Sequence, residues 1–252
     1  MEEKNPIQVA DRLFLTMELL AEEGSMGLLE ISKALELNKS TVHRVLNSLI
    51  YMGYVKQNQE TLKYSLTYKI CHLSNRVIQQ TDLVEMARPF LRELSFKTGE
   101  TVHLVVRDGT NAVYIDKVEN DSNTVRLIST IGKSIPLYCS GVGKAMMAAM
   151  EAKSVQKIWK FSEVEKLTEK TITDYDSLCQ ELENIRTRGY AIDDEENEIG
   201  VKCVAVSLED YMGKPRYALS ISAPEIRMKE ERIQELAALL KETRESIRKA
   251  WN

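Results

Sequence analysis

The densest group of side chains capable of chemistry lies in residues 193–203, which read DDEENEIGVKC. Five carboxylates fall within six positions, and Cys203 closes the run. Carboxylates and thiolates bind metals, and a carboxylate beside a reacting group can act as a general base. The run is therefore compatible with a metal site, a catalytic site, a sensor pocket or a solvated loop, and residues elsewhere must distinguish these.

The other candidate ligands and nucleophiles are scattered. The four cysteines and three histidines are Cys71, Cys139, Cys179, Cys203, His43, His72 and His103. No CxxC pair and no ordered Cys/His/Asp triad is present, so a zinc ribbon, a disulfide framework and nucleophilic catalysis are poorly supported. We expect no catalytic residue, no metal, no cofactor and no enzyme activity. A metal-dependent sensor or enzyme using Asp193, Cys203, Cys139 and His103 remains the alternative.

Composition bounds the class of protein. The chain has 252 residues, 43% hydrophobic and 29% charged, which suits a protein of one or two domains. No apolar run approaches the ~18 residues of a membrane span, and the acidic start MEEKNPIQVADRLF is unlike a secretion signal. We expect a reduced, cytoplasmic protein with no membrane contact. At a net charge of −4, nucleic-acid binding would need a local basic surface.

The N-terminal segment predicts a winged helix-turn-helix. Val9, Leu13, Met17 and Leu20 have helical spacing, and a short helix follows at LLEISKAL. A third helix fits between a capping residue, Asn38, and Gly53, and YVKQNQETLKYSL alternates as a hairpin. In this motif the third helix enters the DNA major groove.

The outer face of that third helix carries short polar and basic side chains, the types that read bases and phosphates. The predicted DNA-binding residues are Lys39, Ser40, Thr41, His43, Arg44 and Asn47 on the helix, with Lys56 and Lys63 on the wing. Residues 38–63 hold four bases and one acid, whereas residues 1–65 hold seven bases and nine acids. The basic surface is thus confined to helix and wing. A protein-interaction module with a solvated polar face is the alternative.

The rest of the chain predicts an α+β domain. We expect a helix at 67–80, a helix at 83–97 that Pro89 kinks, strands around the turn Asp108-Gly109, and a third strand at 124–130. A loop and helix follow at PLYCSGVGKAMMAAM, then a helix at 175–188, strands KCVAVSLED and PRYALSISA, and a helix at 229–251. The predicted divisions are 1–66, 67–81 as a linker helix, and 82–252.

Two features of this second domain suit an acidic ligand. Ser140, Gly141, Val142 and Gly143 lead into a helix whose first N–H groups lack internal partners, which makes a carboxylate cradle. The alternative is a plain helix start, and Lys144 is more commonly a surface lysine. Ser220 and Ser222, two apart in a strand, share a face and could bind a ligand or neighbouring strands.

The acidic run then divides. Asp193 follows a strand-like segment at 190–192 and is the best placed to turn inward, while Glu195, Glu196 and Glu198 are expected to be solvated. Cys203 is a pocket residue or, alternatively, a buried neutral thiol. An inward carboxylate would repel a ligand's own carboxylate, so Asp193 should meet ligand hydroxyls.

Several stretches resemble the IclR family of bacterial transcription regulators. They are NKSTVHRVLNSLIYMGYV, FKTGETVHLVVRDGTNAVYIDKVE, IGKSIPLYCSGVGKAMMA, and RGYAIDDEENEIGVKCVAVSL with YALSISAP after it. The resemblance covers nearly the whole chain in the right order. It implies a GAF-like effector domain that binds a small organic acid, with Asp193 and Cys203 in contact with the effector.

The implied function is a ligand-responsive regulator, expected to be a repressor, of a catabolic operon. Its partners would be double-stranded operator DNA, a small organic-acid effector and further copies of the chain in a homodimer or homotetramer. Within the family the chain resembles regulators that respond to 2-keto-3-deoxygluconate, so a sugar acid is the expected effector. An effector from another organic-acid or aromatic-acid pathway is the alternative.

Overall fold

The computed structural model describes residues 5, 7–79, 82–120, 129–210 and 212–251. The chain divides into two compact units, Met1–Gln80 and Thr81–Asn252. Within the described ranges, every helix is too short or too polar to span a bilayer.

The first unit is a winged helix-turn-helix, as predicted. Its elements are α1 (Gln8–Glu23), α2 (Leu28–Ala34), α3 (Lys39–Tyr51), β1 (Val55–Gln57), β2 (Tyr64–Leu66) and α4 (Lys69–Gln79). The stripe of α3 formed by Val42, Val45, Leu46 and Leu49 is buried against Leu20 and Ile31, whereas Ile50 is 37% exposed. One apolar stripe therefore fixes which face of α3 is left to solvent.

Helix α3 ends in a Schellman motif. Gly53, just past the helix, has φ +78°, a left-handed conformation that costs glycine little. The Tyr54 N–H donates to the Leu49 carbonyl and the Gly53 N–H to the Ile50 carbonyl, both at 2.9 Å. At the other end Asn38 holds the N-cap position, but its side chain makes no capping hydrogen bond. Gly53 thus marks the end of this helix in the way that the sequence predicted, whereas Asn38 marks its start without a side-chain cap.

The wing is a two-stranded antiparallel ribbon in which Val55 pairs with Leu66. Asn58 shapes its tip, because its side-chain oxygen accepts from the N–H groups of Glu60 and Thr61 at 2.9 Å. Met26 and Tyr64 exchange backbone hydrogen bonds at 3.0 and 2.7 Å, which ties the wing to the segment between α1 and α2.

The second unit is an α+β domain around a six-stranded antiparallel sheet, ordered β5-β4-β3-β8-β7-β6. Its elements are α5 (Asp82–Thr98), β3 (Thr101–Asp108), β4 (Asn111–Val118), β5 (Ser134–Pro136), α6 (Gly141–Ala148), α7 (Ala152–Phe161), α8 (Tyr175–Arg188), β6 (Ala191–Asp194), β7 (Val201–Leu208), β8 (Tyr217–Pro224) and α9 (Glu230–Trp251). The strand predicted at 124–130 falls mostly on 121–128, outside the described residues. Strand β5 and helix α7 escaped prediction.

The two faces of the sheet carry different helices. Ala205 and Ala218 pack in one core with residues of α6 and α8. Because successive strand residues point to opposite faces, Leu219 and Ile221 lie on the other face, where α5 and α9 pack. Ser220 and Ser222 therefore face the α6 side, and a pocket on that side can use their hydroxyls.

Helix α6 is buried along its whole length, and Gly143 is the point of closest approach. A Cβ at this position would lie 2.2 Å from the carbonyl oxygen of Leu137 and 2.3 Å from its Cα. At Gly141, two residues earlier, a Cβ would meet its nearest neighbour, the backbone nitrogen of Asp193, at 3.4 Å. Gly143 is thus required for packing the helix, whereas Gly141 is not.

We expect Gly143→Ala to lower the free energy of unfolding by roughly 3 kcal/mol, because backbone cannot retreat as a flexible side chain can. Gly141→Ala is the matched control on the same helix and should stay near wild type, since alanine suits a helix better than glycine. Urea unfolding followed by circular dichroism measures both. Equal stabilities for the two variants would contradict the assignment.

Candidate effector pocket and nucleic-acid interface

At the N-terminus of α6, two N–H groups have no hydrogen-bond partner among the residues that the structure describes. Ser140 caps the helix, with its hydroxyl accepting from the Gly143 N–H at 3.2 Å and donating to the Pro136 carbonyl at 2.6 Å. The first intrahelical bond runs from the Lys144 N–H to the Ser140 carbonyl at 2.9 Å. The N–H groups of Gly141 and Val142 come before that bond, at the positive end of the helix dipole.

A cavity opens against this helix end. About 580 Å³ of empty space lies between its walls, open solvent at its mouth included. Seven of the eight predicted effector residues line it: Ser140, Gly141, Val142, Asp193, Cys203, Ser220 and Ser222. Gly143 does not, because its N–H is taken by the Ser140 cap and its α-carbon is pressed against Leu137. Its placement in the cradle was wrong.

The floor of the cavity is a strip of side chains on adjacent strands. Cys203 pairs with Ser222 on one side and with Asp193 on the other, and Ser220 pairs with His103. The Ser222 hydroxyl donates to the Cys203 sulfur at 3.0 Å. Burial raises the pKa of the Cys203 thiol, so it stays protonated and is neither a nucleophile nor a ready metal ligand.

The cavity also contains Tyr114, Ser129, Asn197 and Glu198, which the sequence did not assign to it, and His103, which was considered only in the alternative of a metal site. His103 is 1% exposed, and its Nε2 lies 2.8 Å from the Ser129 hydroxyl. Burial, assisted by the charge of Lys117, lowers the His103 pKa to about 3. The imidazole is therefore neutral and offers hydrogen bonds without charge. Alternation along β3 was the available signal, since it sets His103 on the face shared by Val105.

Asp193 turns inward, as predicted, and meets backbone amides. Its Oδ1 accepts from the Glu196 N–H at 2.8 Å and the Asn197 N–H at 3.4 Å. Burial, reinforced by the negative charge of Glu196, raises the Asp193 pKa to about 7. Both the protonated and the ionised form of this carboxyl are therefore accessible near neutral pH, so it can either donate to or accept from a neighbouring oxygen.

The prediction that Glu196 is solvated was wrong, and so was the expectation of a surface Lys144. Glu196 is 6% exposed and Lys144 is 1% exposed, and the ammonium donates directly to Glu196 Oε1. Glu181 lies 3.9 Å from the same ammonium. Burial nevertheless raises the pKa of Glu196, against the lowering by Lys144. The ion pair anchors the acidic loop to α6.

The rest of the acidic run lies closer to solvent. Glu195 pairs with Lys170 at 2.8 Å, and Glu198 is exposed at the mouth of the cavity. The hydroxyls of Thr168 and Thr171 donate to the carbonyls of Glu195 and Glu196, both at 2.7 Å. In the part of the chain that the structure describes, no three His, Cys, Asp or Glu side chains are arranged to hold a metal.

In the first unit the predicted DNA-contacting residues share the open face of α3 and the wing. Lys39, Ser40, His43, Arg44, Asn47, Lys56 and Lys63 are exposed, and Thr41 is half-buried. The Asn47 amide nitrogen lies 3.3 Å from His43 Nδ1, one helical turn away. Lys63 is 3.9 Å from Glu30, an exposed pair of little energetic weight. The face is polar, basic and accessible.

We expect Asp193→Asn to remove a pH dependence of stability while keeping an acceptor for the Glu196 amide. A carboxyl whose pKa rises from 3.8 to about 7 on folding binds more protons when folded. Wild type should therefore be most stable relative to the variant below pH 3.8 and lose that advantage as the pH rises to about 7. Urea unfolding across this range gives the difference.

Asp174→Asn is the control of opposite sign. Asp174 caps α8 by accepting from the Ser177 N–H at 2.8 Å, and this bond lowers its pKa. Its contribution should be present above the unfolded pKa and be lost as the pH falls. A wild-type and Asp193→Asn pair with parallel stability curves would contradict the buried-acid assignment.

Comparison with known proteins places both units in one family. The profile described as IclR helix-turn-helix domain matches residues 9–59, and that described as Bacterial transcriptional regulator IclR C-terminal matches residues 75–249. The HTH-type transcriptional regulator KdgR of Escherichia coli strain K12 is 39% identical over 240 residues, which are 94% of this chain and 91% of the relative. The E. coli transcriptional repressor YiaJ is 37% identical over 87% of this chain and 79% of its own length.

Solved structures agree over the whole chain and over the second unit alone. The Thermotoga maritima IclR structure superposes with a TM-score of 0.85 at 33% identity, covering 97% of this chain and 99% of that one. The C-terminal domain of E. coli KdgR gives 0.62 at 36% identity over 68% of this chain and 99% of its own. Regulators of this family bind operator DNA and are oligomeric. The chain belongs to the IclR family of bacterial transcription regulators, with a DNA-binding winged helix and an effector-sensing α+β domain.

Proposed function

We propose that this regulator is a repressor of a catabolic operon whose hold on its operator is controlled by a hydroxylated carboxylic acid bound in the α6 cavity. The observation that carries the proposal is the pair of uncommitted N–H groups at Gly141 and Val142, at the edge of a cavity with a neutral polar floor. A helix N-terminus of this kind stabilises a carboxylate without a charged partner.

The remaining wall favours an acid that also bears hydroxyl or keto oxygens. Ser220, Ser222 and His103 supply neutral polar atoms, and Asp193 can donate or accept near pH 7. Among the described lining residues the single permanent cation is Lys133, which is exposed. A ligand with two negative charges would have one helix end to stabilise the first charge and few groups to stabilise the second. A sugar acid such as 2-keto-3-deoxygluconate matches this pattern, in line with the sequence resemblance.

Thermal unfolding in the presence of acids tests the effector class. The panel holds 2-keto-3-deoxygluconate, related sugar acids, short keto acids and aromatic acids. A ligand that binds only the folded state raises its stability by about 2.7 kcal/mol at one hundred times its Kd, so a specific acid should raise the melting temperature in a saturable way. We expect hydroxylated acids to do so. Stabilisation by aromatic acids alone, or by none of the panel, would refute this effector class.

The DNA-binding half of the proposal rests on α3 and the wing. Two winged helices of a homodimer, or of a dimer within a homotetramer, would bind a pseudo-palindromic operator in the cytoplasm. The segment 67–81, which contains α4, would connect the DNA-binding segment 1–66 to the effector domain 82–252. The effector acts only if it binds the DNA-competent and DNA-incompetent arrangements with different affinities.

We expect Arg44→Ala to weaken operator binding by roughly 1–3 kcal/mol, about 5- to 150-fold, because an exposed arginine on this helix face can form paired hydrogen bonds to a guanine. Binding of the effector should be unchanged, since the effector domain is untouched. The two measurements are a gel-shift titration with an operator selected from a random pool and calorimetry with the acid.

Arg92→Ala controls for the loss of one positive charge, because Arg92 is an exposed residue of α5 in the second unit. It should leave operator affinity near that of wild type. Unchanged affinity in Arg44→Ala, or an equal loss in both variants, would sink the assignment of α3 as the recognition helix. Failure to select any DNA sequence would favour a protein-binding role for this unit.

A further inference from the structure

Tyr114 on β4 places a phenol in the effector cavity. Its ring packs against the imidazole of His103 with centroids 4.8 Å apart and planes tilted by 48°. The residue lines the cavity, and its hydroxyl makes no hydrogen bond within the described parts of the chain. Tyrosine hydroxyls that leave bulk water normally have a partner, so a lone phenol in a cavity points to a ligand atom.

Several neighbouring polar atoms of the cavity already have partners within the protein. The Ser222 hydroxyl donates to Cys203 at 3.0 Å, and the Ser140 hydroxyl donates to Pro136 at 2.6 Å. His103 Nε2 is 2.8 Å from Ser129, and only long contacts of 3.4 and 3.5 Å reach its Nδ1. The Tyr114 O–H is therefore an uncommitted donor facing the ligand space, and His103 holds its ring in place.

Its ionisation state is settled by the same surroundings. Burial raises the pKa of Tyr114, and the negative charge that Asp193 carries when ionised raises it further. The phenol thus stays protonated and can donate to a keto or hydroxyl oxygen. The helix end, which presents two N–H groups and the positive end of a dipole, remains the expected place for the carboxylate.

The position of Tyr114 in the sheet separates it from the carboxylate cradle. It lies on β4, whereas Asp193 lies on β6, and three strands stand between them in the sheet order. Asp193 marks the cradle, because its backbone nitrogen is the nearest neighbour that a Cβ at Gly141 would meet. Both residues nevertheless line one cavity, so the curl of the sheet closes the space from two sides. An acid held at the end of α6 must extend away from its carboxylate to reach the phenol.

We propose that Tyr114 is the specificity-determining residue of the effector site, donating its O–H to a hydroxyl or keto oxygen remote from the carboxylate. Resting on the proposed function, this assignment narrows the effector to acids long enough to carry a second oxygen group beyond the α-carbon. Short keto acids fill the cradle without reaching Tyr114. A site built around a hydrogen bond to a ligand oxygen discriminates strongly against analogues that lack it.

The test compares the full-length wild type with Tyr114→Phe, which removes one oxygen and keeps the ring against His103. Calorimetric titrations use 2-keto-3-deoxygluconate and pyruvate, a three-carbon keto acid without hydroxyls. We expect the variant to bind the longer acid about ten-fold more weakly, the value of one hydrogen bond, and to bind pyruvate as wild type does.

Tyr138→Phe is the matched control. The Tyr138 hydroxyl donates to the Glu165 carbonyl at 2.9 Å outside the cavity lining, so its loss should lower the melting temperature without changing the ratio of the two affinities. Equal weakening of both acids in Tyr114→Phe, or no weakening, would overturn the assignment while leaving the effector site intact. If wild type binds neither acid, the effector class fails and the selection by Tyr114 fails with it.

Discussion

The structure of the sensing domain depends on one buried ion pair. Lys144 and Glu196 are separated by 52 residues in sequence, and both side chains are almost wholly withdrawn from water. Two isolated charges at such depth would each cost several kcal/mol, so neither residue can hold its place without the other. The pair therefore fixes the acidic loop against α6. It also commits the only ammonium on that helix to the protein and leaves the neighbouring cavity without it.

The chemistry of the cavity follows from that commitment. Lys144 donates to Glu196, and its positive charge stabilises the ionised form of Asp193 only in part. Burial therefore raises the Asp193 pKa to about 7. His103 and Cys203 are held neutral by the same dry surroundings. An anionic ligand therefore meets a helix dipole and hydrogen-bonding groups, and the exposed Lys133 is the single formal positive charge among the described lining residues. Such a site recognises its ligand mainly through the positions of its hydrogen-bonding groups. This suits a sensor that must distinguish one small acid from another.

The elements were predictable from sequence where the signal is local. The apolar stripe of α3, the glycine after it and the alternation around the wing are short-range patterns, and the structure has those elements. Of the cavity, the small residues before α6 and the inward Asp193 were predictable for the same reason. The role of Gly143 was not, because a ligand-facing glycine and a packing glycine look alike until the Leu137 backbone is placed against one of them.

The burial of Glu196 was hidden for a different reason. The acidic residues of this run have similar neighbours in sequence, and carboxylates in such runs are ordinarily exposed to solvent. Only the lysine 52 residues earlier selects one of them for the interior, and no local pattern encodes that pairing. Tyr114 was missed, and His103 was considered only as a metal ligand, because the cavity exists only after the sheet curls. The curl brings strands that are not neighbours in the sheet around one space.

The contacts between α6 and the acidic loop also bear on how effector binding could change DNA binding. The attraction within the Lys144–Glu196 pair is largely offset by the desolvation of both charges, so the pair itself adds little net free energy to the arrangement of α6 and the acidic loop. An acid seated at Gly141 and Val142 adds hydrogen bonds at the helix end and at the loop residue Asp193. A coupling of ~1–3 kcal/mol between effector and DNA is typical of allosteric proteins. A few hydrogen bonds made in one arrangement and not in the other are enough to supply it, provided that the helix and the loop differ between the two.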